Sequence, residues 1–338
     1  MYVCILDQAG TVLVHKNLPT TPEAVLRVIA PYRADRVVAV ECMFTWSWLA
    51  DLLARAGITF VLGHALSMKA SHGGKAKNDK LDAQKIAVLL RGGMLPQAYV
   101  YPAERRATRA LLRRRCPLMR QRAELLAHRQ NTNSQYHLPE IGKKVAYKAN
   151  RAGVEAHFPD PRVRKTIEVD VALINPYDQL LGEVELSSTR TAKAPDVQTF
   201  SRLQSVPGIG QILALLRLYE IQDISGCPRV PDFVSSCRLL KCAKESAGKR
   251  LGPAGKKIGN VHLRWAVAEA AVLFLRHNQP GKAYCTKLEH KHGKAKALTV
   301  LAQKLARAVY YLLAREQAFA LTRFVPASPL RGGTEPAV

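Results

Sequence analysis

The chain has 338 residues, and its 51 lysine and arginine residues outnumber 26 aspartate and glutamate residues, giving a formal net charge of +25. Hydrophobic residues make up 48% and charged residues 23% of the sequence, a balance that allows sizeable cores and excludes a wholly disordered chain. The length suggests about two domains. So large an excess of positive charge favours an acidic partner, with nucleic acid as the first candidate and a membrane surface as the second.

Two features of the sequence argue against the membrane alternative. No run of about 18 or more uncharged apolar residues is present, so no spanning helix is expected. The opening Met1–Leu6 is followed at once by Asp7, which does not fit a signal peptide.

The seven cysteines are scattered and form no C-x-x-C pair, which argues against zinc and favours reduced thiols in the cytoplasm.

Strands and helices alternate through the first hundred residues. This alternation predicts an α/β layer in which at least part of the sheet is parallel. Residues 64–78 are rich in glycine and lysine and predict a loop. The predicted strands are Val3–Leu6, Thr11–His15, Arg36–Val40 and Thr59–Leu62, and the predicted helices are Pro22–Ile29, Trp46–Arg55 and Asp79–Leu90.

Residues 103–135 predict a long basic helical arm, in which nine arginines stand against two acidic residues and leucines recur at helical spacing. Pro117 is expected to kink or split this helix, and Val169–Ser187 predicts an amphipathic helix that could pair with it. So one-sided a charge favours phosphate contacts, although an ordinary solvated helix face remains the alternative. The candidates for phosphate contact are Arg113, Arg114 and Arg115.

A second globular part begins near Phe200. The pattern L-x-x-V-P-G-I-G at 203–210 precedes the apolar helix Ile212–Tyr219, and this order predicts a helix-hairpin-helix. Gly208 and Gly210 would let the backbone approach a phosphate, which amides at the following helix start can bind. The alternative is an ordinary Pro-Gly turn between two core helices.

Residues 241–264 form a second basic stretch, and its glycines predict a loop rather than a helix. Ser246 lies there among cations and small residues, where its hydroxyl could reach a phosphate, although most serines beside glycine are only loop residues. Helices are predicted at Val261–Arg276 and Ala297–Arg315, and the tail from Pro326 is expected to be disordered. The cations of this stretch that are candidates for nucleic-acid contact are Lys249, Arg250, Lys256 and Lys257.

Three acidic residues predict a magnesium site. Glu41 closes the apolar strand V-V-A-V, while Asp79 and Asp82 stand three residues apart, where one helix face would hold their Cβ atoms about 5–6 Å apart. Two carboxylates so close repel each other unless a cation lies between them, and Mg²⁺ is typically held by one or two carboxylates and by phosphate oxygens. The alternatives are helix capping at Asn78 or Asp79 and an ordinary surface acid at Glu41.

Four blocks of sequence carry a resemblance to a known family. They are V-V-A-V-E-C at 37–42, K-N-D-K-L-D-A-Q-K-I-A at 77–87, L-Q-S-V-P-G-I-G at 203–210, and K-C-A-K-E-S-A-G-K-R at 241–250 with K-K-I-G-N-V-H-L-R at 256–264. In combination they resemble the DEDD-type transposases of the IS110 insertion-sequence family, most of all its IS1111 subgroup. The resemblance covers nearly the whole chain.

The resemblance implies an architecture and a set of catalytic residues. Glu41, Asp79 and Asp82 fall on the second, third and fourth of four acids that bind Mg²⁺, and Ser246 falls on a nucleophilic serine. The family's first acid lies in a G-x-D motif on an opening strand that would fall before Met1, so we expect an incomplete quartet and a sheet that lacks a central strand. The implied parts are a ribonuclease-H-like (RuvC-like) mixed sheet with flanking helices over 1–100, a coiled-coil-like helical region over 101–195, a mostly α-helical transposase domain with the helix-hairpin-helix over 196–318, and a disordered tail over 319–338.

The resemblance also implies partners and an activity. It implies DNA as element ends and target, a structured bridging RNA, a homo-oligomer, no membrane, and a cytoplasmic location on the nucleoid. We therefore predict a transposase that cuts and rejoins DNA with Mg²⁺ and a serine nucleophile. The alternatives are a RuvC-like nuclease that uses water, and a truncated remnant that binds nucleic acid without cutting it.

Overall fold

A computed structural model of the chain describes residues 1–32, 35–71, 78–142, 144–191, 197–221, 223–240, 242–254 and 258–324. The chain divides into two compact units, Met1–Arg106 and Ala107–Val338. The strands are β1 (Tyr2–Leu6), β2 (Val12–Asn17), β3 (Val37–Glu41), β4 (Thr59–Gly63), β5 (Cys242–Ser246) and β6 (Lys249–Ala254). The helices are α1 (Pro22–Ile29), α2 (Trp46–Arg55), α3 (Ala65–Ser71), α4 (Asp79–Arg91), α5 (Ala103–Gln135), α6 (Pro161–Thr191), α7 (Val197–Gln204), α8 (Gln211–Ile221), α9 (Val230–Ser236), α10 (Val261–Phe274), α11 (Gln279–His292), α12 (Lys294–Ala314) and α13 (Leu321–Phe324).

The first unit is a small α/β layer, as the alternating pattern predicts. β1 and β2 pair in antiparallel fashion, while β3 and β4 pair in parallel through the crossover helix α2. Helices α1 and α2 bury Val25, Ile29, Leu49 and Leu53 against the β3–β4 pair. The mixed α/β character predicted for this region is therefore confirmed.

An open groove runs between β1 and β3. Among the described residues, β1–β2 and β3–β4 are separate sheets with no backbone hydrogen bond between them. A cavity of about 390 Å³ is lined by consecutive residues of both strands, over 1–8 and 37–40. Successive side chains of a strand point to opposite faces, so a cavity over one face would meet alternate residues only. Lining by consecutive residues therefore places this cavity along the two strand edges, and α1 and α4 flank it with apolar side chains.

The loop predicted for residues 64–78 is wrong in its first part. Ala65–Ser71 forms helix α3, and the ring of His64 just before it hydrogen-bonds the hydroxyl of Ser67 at 2.8 Å. The same ring nitrogen accepts from the backbone amide of Ser67, one of the first amides of α3, which have no partner within the helix. A glycine- and lysine-rich composition does not reveal such a helix start. Residues 72–77 lie outside the described part of the chain.

Helices α5 and α6 form an antiparallel pair joined by ion pairs. From one pair to the next, the contacts advance by seven and then six residues along α5 and go back by seven and then eight residues along α6. Pro117 lies inside α5 and does not split it, so of the predicted kink or split the split is wrong, while the predicted pairing of the two helices is confirmed. α6 is also longer than predicted. The pairs are Arg115 with Glu185 at 2.5 Å, Arg122 with Asp178, and His128 with Asp170 at 2.6 Å.

A small cap closes the end of this helix pair. The connection between α5 and α6 buries Val145, Val154 and Phe158 against α6. Arg151 is buried there and donates hydrogen bonds to Asp178, which also accepts from an arginine of α5. Burial alone raises the pKa of the Asp178 carboxyl, but the two guanidinium groups outweigh it and hold that pKa below its ordinary value.

The rest of the second unit is a helical domain built around α8. Every residue of α8 over 213–220 is buried, and α10 and α12 pack around it. The turn between α7 and α8 contains Gly208, whose φ is +85°. A Cβ atom at Gly208 would lie 2.5 Å from the backbone nitrogen of Phe274, so only glycine lets this turn pack on the end of α10.

A buried carboxylate joins three helices of this domain. Glu220 of α8 accepts from the guanidinium groups of Arg109 at 3.0 Å and Arg113 at 2.5 Å, and from the amide of Asn260 at 2.6 Å. Burial alone raises the pKa of Glu220, but these donors outweigh it and lower that pKa below its ordinary value. Asn260 also caps α10 by accepting from His262 and a neighbouring backbone amide.

Residues 242–254 form a β-hairpin, so the loop predicted for this part of 241–264 is wrong. β5 and β6 pair in antiparallel fashion, with Ser246 opposite Lys249. The two turn residues, Ala247 and Gly248, have φ values of +49° and +73°, and positive φ at both positions is the geometry of a type I′ hairpin turn. The glycines that suggested a loop therefore serve a tight turn between strands. The tail predicted to be disordered over 319–338 is ordered in its first part, because Leu321–Phe324 forms α13 and Phe324 is buried in the helical core. From position 325 onward the tail lies outside the described residues.

Glu220→Gln is expected to lower the free energy of unfolding by about 3–5 kcal/mol, because it removes the buried negative charge that two half-buried arginines share. Since the pKa of Glu220 is lowered in the folded protein, its contribution is present above its ordinary value of 4.5 and is lost as the pH falls below it. Denaturant unfolding at neutral pH and at about pH 3 tests this. Glu185→Gln, which breaks a more exposed pair with Arg115, serves as the control and should change stability by no more than about 1 kcal/mol. Equal losses in the two variants would contradict the central role of Glu220.

Gly208→Ala is expected to destabilise the protein by about 2–4 kcal/mol, because the added Cβ meets the backbone of Phe274 and φ is positive. Gly210→Ala is the matched control two residues away, with nothing within 4 Å of its added Cβ. It should change stability by about 1 kcal/mol or less. Thermal unfolding followed by circular dichroism measures both, and a Gly208 variant as stable as the control would refute the packing role.

Candidate functional site

The predicted acidic pair lies in the first turn of α4. Asn78 is the N-cap, and its side-chain oxygen accepts from the amides of Lys80 at 2.7 Å and Leu81 at 3.3 Å. Asp79 is exposed and Asp82 is half-buried, within 3.8 Å of a lysine one turn later. The capping alternative is thus confirmed for Asn78, and the helix dipole favours both aspartates where they stand.

The third predicted acid, Glu41, is the last residue of β3 and is half-buried opposite Gly63 of β4. α4 packs against β3, so Glu41 and the acidic pair belong to neighbouring elements of one unit. Nevertheless, no group of three or more histidine, cysteine, aspartate or glutamate side chains in the described part of the chain is arranged to hold a metal ion. The described side chains alone therefore do not form the predicted Mg²⁺ site, and Glu41, Asp79 and Asp82 remain predicted ligands.

The predicted nucleophile occupies the tip of the β5–β6 hairpin. Ser246 is the last residue of β5, and its side chain is exposed directly before the type I′ turn. Lys249 stands opposite it across the hairpin, and Arg250 follows at the next position of β6; both are exposed. A hydroxyl presented between such cations can approach a phosphate whose negative charge they attract. Lys256 and Lys257 lie outside the described residues.

The three arginines predicted to contact phosphate differ in their surroundings. Arg113 binds the buried Glu220, and Arg115 binds Glu185 while its guanidinium lies 6.0 Å from the centre of the Trp265 ring. Arg114 is exposed. These contacts favour a structural role for Arg113 and Arg115, whereas nucleic-acid contact remains the simplest prediction for Arg114.

The two glycines of the predicted helix-hairpin-helix also differ. α7, the turn at 205–210 and α8 follow one another as predicted. The backbone of Gly208 faces the backbone of α10, while the space beside Gly210 is open. Close approach to a phosphate is therefore favoured at Gly210, and the Pro-Gly turn between core helices describes Gly208 better.

The sequence reasoning missed the polar residues buried in α8. Arg217 is fully buried, its Nη2 donates to the carbonyl of Ala266 at 2.9 Å, and burial lowers its pKa to about 10. Glu220 lies one turn later in the same helix. The signal was available in the sequence, because two charged residues interrupt an otherwise apolar helix, a pattern that indicates buried polar contacts.

None of the described helices is long and apolar enough to cross a bilayer.

Comparison with known families gives two matches that lie in different halves of the chain. Residues 1–137 match a DEDD-type IS110 model described as a transposase. Residues 200–286 match the model described as the transposase IS116/IS110/IS902 family. The first match contains the three predicted acids, and the second contains Ser246.

A curated relative supports the same assignment. The transposase for insertion sequence element IS1111A of Coxiella burnetii (strain RSA 493 / Nine Mile phase I) is 27% identical over 255 residues, which cover 72% of this chain and 68% of that protein. The two family matches together span about two thirds of the chain. The chain therefore belongs to the IS110/IS116/IS902 family of insertion-sequence transposases, with an IS1111-like relative.

Proposed function

We propose that this chain cuts and rejoins DNA during transposition, with Ser246 as the nucleophile. The observation that carries the proposal is the exposed hydroxyl of Ser246 at the turn of a cationic hairpin, within the part of the chain matched to the transposase family. A nucleophile must be reachable by a backbone phosphate, and a projecting hairpin tip meets that requirement. DNA, as element end and as target, is the proposed substrate.

The proposed step is an exchange of phosphate esters. The Ser246 oxygen bonds to the scissile phosphorus as the bond from phosphorus to one sugar oxygen breaks, and the hydroxyl proton ends on the released sugar oxygen. Lys249 and Arg250 attract the phosphate and offset its developing charge. Attack by another sugar hydroxyl on the phosphoserine reverses the step and joins the strands.

A divalent cation is the proposed cofactor, since the DEDD family implies metal use. Mg²⁺ would supply positive charge at the scissile phosphate, and Glu41, Asp79 and Asp82 are the side chains we propose as ligands. The described acids are not gathered into a three-ligand group, and the family resemblance implies a further acid, on an opening strand, beside them.

We infer that the groove between β1 and β3 takes one extended strand that carries this acid. The groove follows the edges of both strands and has apolar helices on its two sides. A strand placed there would hydrogen-bond to β1 and β3 at once and join the two small sheets into one. The joined sheet would have the mixed, ribonuclease-H-like (RuvC-like) arrangement that the family resemblance implies.

Further partners follow from charge and from the resemblance. The exposed cations of α5, with Arg114 among them, are the proposed surface for a structured bridging RNA. A homo-oligomer and a location on the nucleoid in the cytoplasm belong to the same proposal. The net charge of +25 supports an acidic partner in general.

Two alternatives remain distinguishable from the serine transposase. A metal nuclease that activates water would cleave DNA without a covalent protein–DNA species. A binding-only protein would hold DNA without cleaving it, and the lack of a three-ligand group among the described acids is the observation that favours this alternative.

Ser246→Ala is expected to abolish a covalent protein–DNA adduct, because the variant has no hydroxyl to attack phosphorus. The assay combines purified chain, Mg²⁺, element RNA and labelled element-end DNA, followed by denaturing electrophoresis and mass spectrometry of the adduct. Ser201→Ala, at an exposed serine of α7, is the matched control and should retain the adduct. An adduct that persists in Ser246→Ala would remove serine from the mechanism, and cleavage without any adduct would favour the water nuclease.

Adding a strand ahead of Met1 tests the groove. The designed extension has about six apolar residues, enough for about 20 Å, with a G-x-D motif and a two-residue turn into β1. We expect Mn²⁺, observed by electron paramagnetic resonance, to bind about tenfold or more tightly than in the unextended chain, because one carboxylate joins the site. The same extension with asparagine in place of the aspartate is the control. Equal Mn²⁺ binding in the two extended proteins would refute the inferred acid.

A further inference from the structure

A second cavity lies in the helical domain, away from the hairpin residues. It has a volume of about 600 Å³ and lies between α11, α12 and the turn that follows α12. This volume is within the range of about 300–1,000 Å³ typical of small-molecule sites. We refer to it as the α12 cavity.

The α12 cavity is lined by positive charge. Among the described residues that line it there is no aspartate or glutamate, and none of its cations forms an ion pair with another described residue. Glu316, next in sequence to one of them, instead binds Arg202 at 3.1 Å. Four cations around one cavity repel each other, so an anion is the ligand that relieves the repulsion. They are Lys304, Arg307, Arg315 and Arg323.

Aromatic rings stand beside these cations. The ammonium of Lys304 lies 4.3 Å from the centre of the Tyr284 ring and 5.1 Å from that of Phe324. The guanidinium of Arg315 lies 4.5 Å from the centre of the Tyr311 ring, and 40% of Tyr311 is exposed. Burial lowers the pKa of Lys304, as expected for an ammonium packed among rings with no carboxylate partner.

We propose that the α12 cavity binds one unpaired nucleotide of a single-stranded nucleic acid, with its base stacked beside Tyr311 and Arg315 and its phosphate held by Lys304 and Arg307. Every base has a flat face, so rings and guanidinium planes accept it without regard to sequence. A paired base stays within the duplex stack and cannot enter such a cavity. The site therefore distinguishes single strands, or nucleotides extruded from a duplex, from paired DNA.

The chemistry of the lining favours a nucleotide over an acidic peptide. Carboxylates would satisfy the four cations equally well, but they have no planar face to stack on the aromatic rings of Tyr284 and Tyr311 beside those cations. A nucleotide supplies both a phosphate and a planar base. The inference deepens the proposed function, since it rests on the chain acting on nucleic acid, but the site does not include Ser246 and is tested by a different measurement.

The experiment measures binding of the full chain to fluorescent oligothymidine of about eight nucleotides and to a duplex of equal length. We expect Tyr311→Ala to weaken single-strand binding roughly tenfold, and Tyr311→Phe to preserve it, because phenylalanine keeps the flat face. Arg307→Gln should reduce the magnitude of the log–log salt slope by about 0.7, the effect of one lost phosphate contact on a single strand. Tyr136→Ala and Arg276→Gln are the controls, since both side chains are exposed and lie outside the cavity.

Photo-crosslinking locates the contact. Oligothymidine containing 4-thiothymidine should crosslink to peptides that carry Tyr284 or Tyr311. Crosslinks confined to other peptides, or cavity variants that bind single strands as well as the controls do, would overturn the site. Displacement of the fluorescent oligothymidine by a lower concentration of polyglutamate than of unlabelled oligothymidine would also overturn the site and identify an acidic peptide instead. Single-strand binding lost in Tyr311→Ala in a chain that never forms the Ser246 adduct would support the cavity while refuting the serine chemistry.

Discussion

The helical domain depends on one buried negative charge. Glu220 has almost no contact with solvent, and two arginines of α5 together with the cap residue Asn260 of α10 converge on it. Taking a carboxylate out of water is unfavourable unless its lone pairs are occupied, and three donors occupy them here. The same contacts fix where α5 meets α8 and where α10 begins.

The ion pairs of α5 reduce the number of its arginines that are available to nucleic acid. An arginine-rich helix in a protein of net charge +25 suggests a surface for nucleic acid, yet Arg109, Arg113 and Arg115 are engaged with carboxylates of their own unit. A high count of positive residues therefore does not give the number of phosphate contacts. The cations available to a partner are those without an acidic neighbour, such as exposed Arg114 and the residues of the α12 cavity. The arginines that form one basic block in the sequence therefore fall into two groups in the fold: those that bind carboxylates of the protein and those that are available to a partner.

The sequence predicted local features well and tertiary ones poorly. Strands and helices of the first unit, and the α5–α6 pair, follow from apolar periodicity, which depends only on neighbours along the chain. The β5–β6 hairpin differs from the predicted loop because glycines are typical of loops and of tight turns alike, and Ala247 with Gly248 forms a two-residue turn between strands. The arrangement of Glu41 relative to Asp79 and Asp82 depends on how β3 and α4 pack, and spacing in sequence cannot fix it. The buried Glu220 cluster likewise joins positions more than a hundred residues apart.

The sequence blocks that carry the family resemblance contain two kinds of residue. Asn78 and Asn260 cap helices, and Gly208 permits a close backbone contact, so these residues are needed for folding whatever the chemistry. Ser246 and Lys249 are not needed for folding in this way, because both side chains are exposed and pack against no buried core. A type I′ hairpin that presents a serine and a lysine to solvent is explained by a partner more readily than by stability, since an isolated two-stranded hairpin is marginal in water. The case for chemistry at Ser246 therefore rests on the residues in its block that the fold does not require.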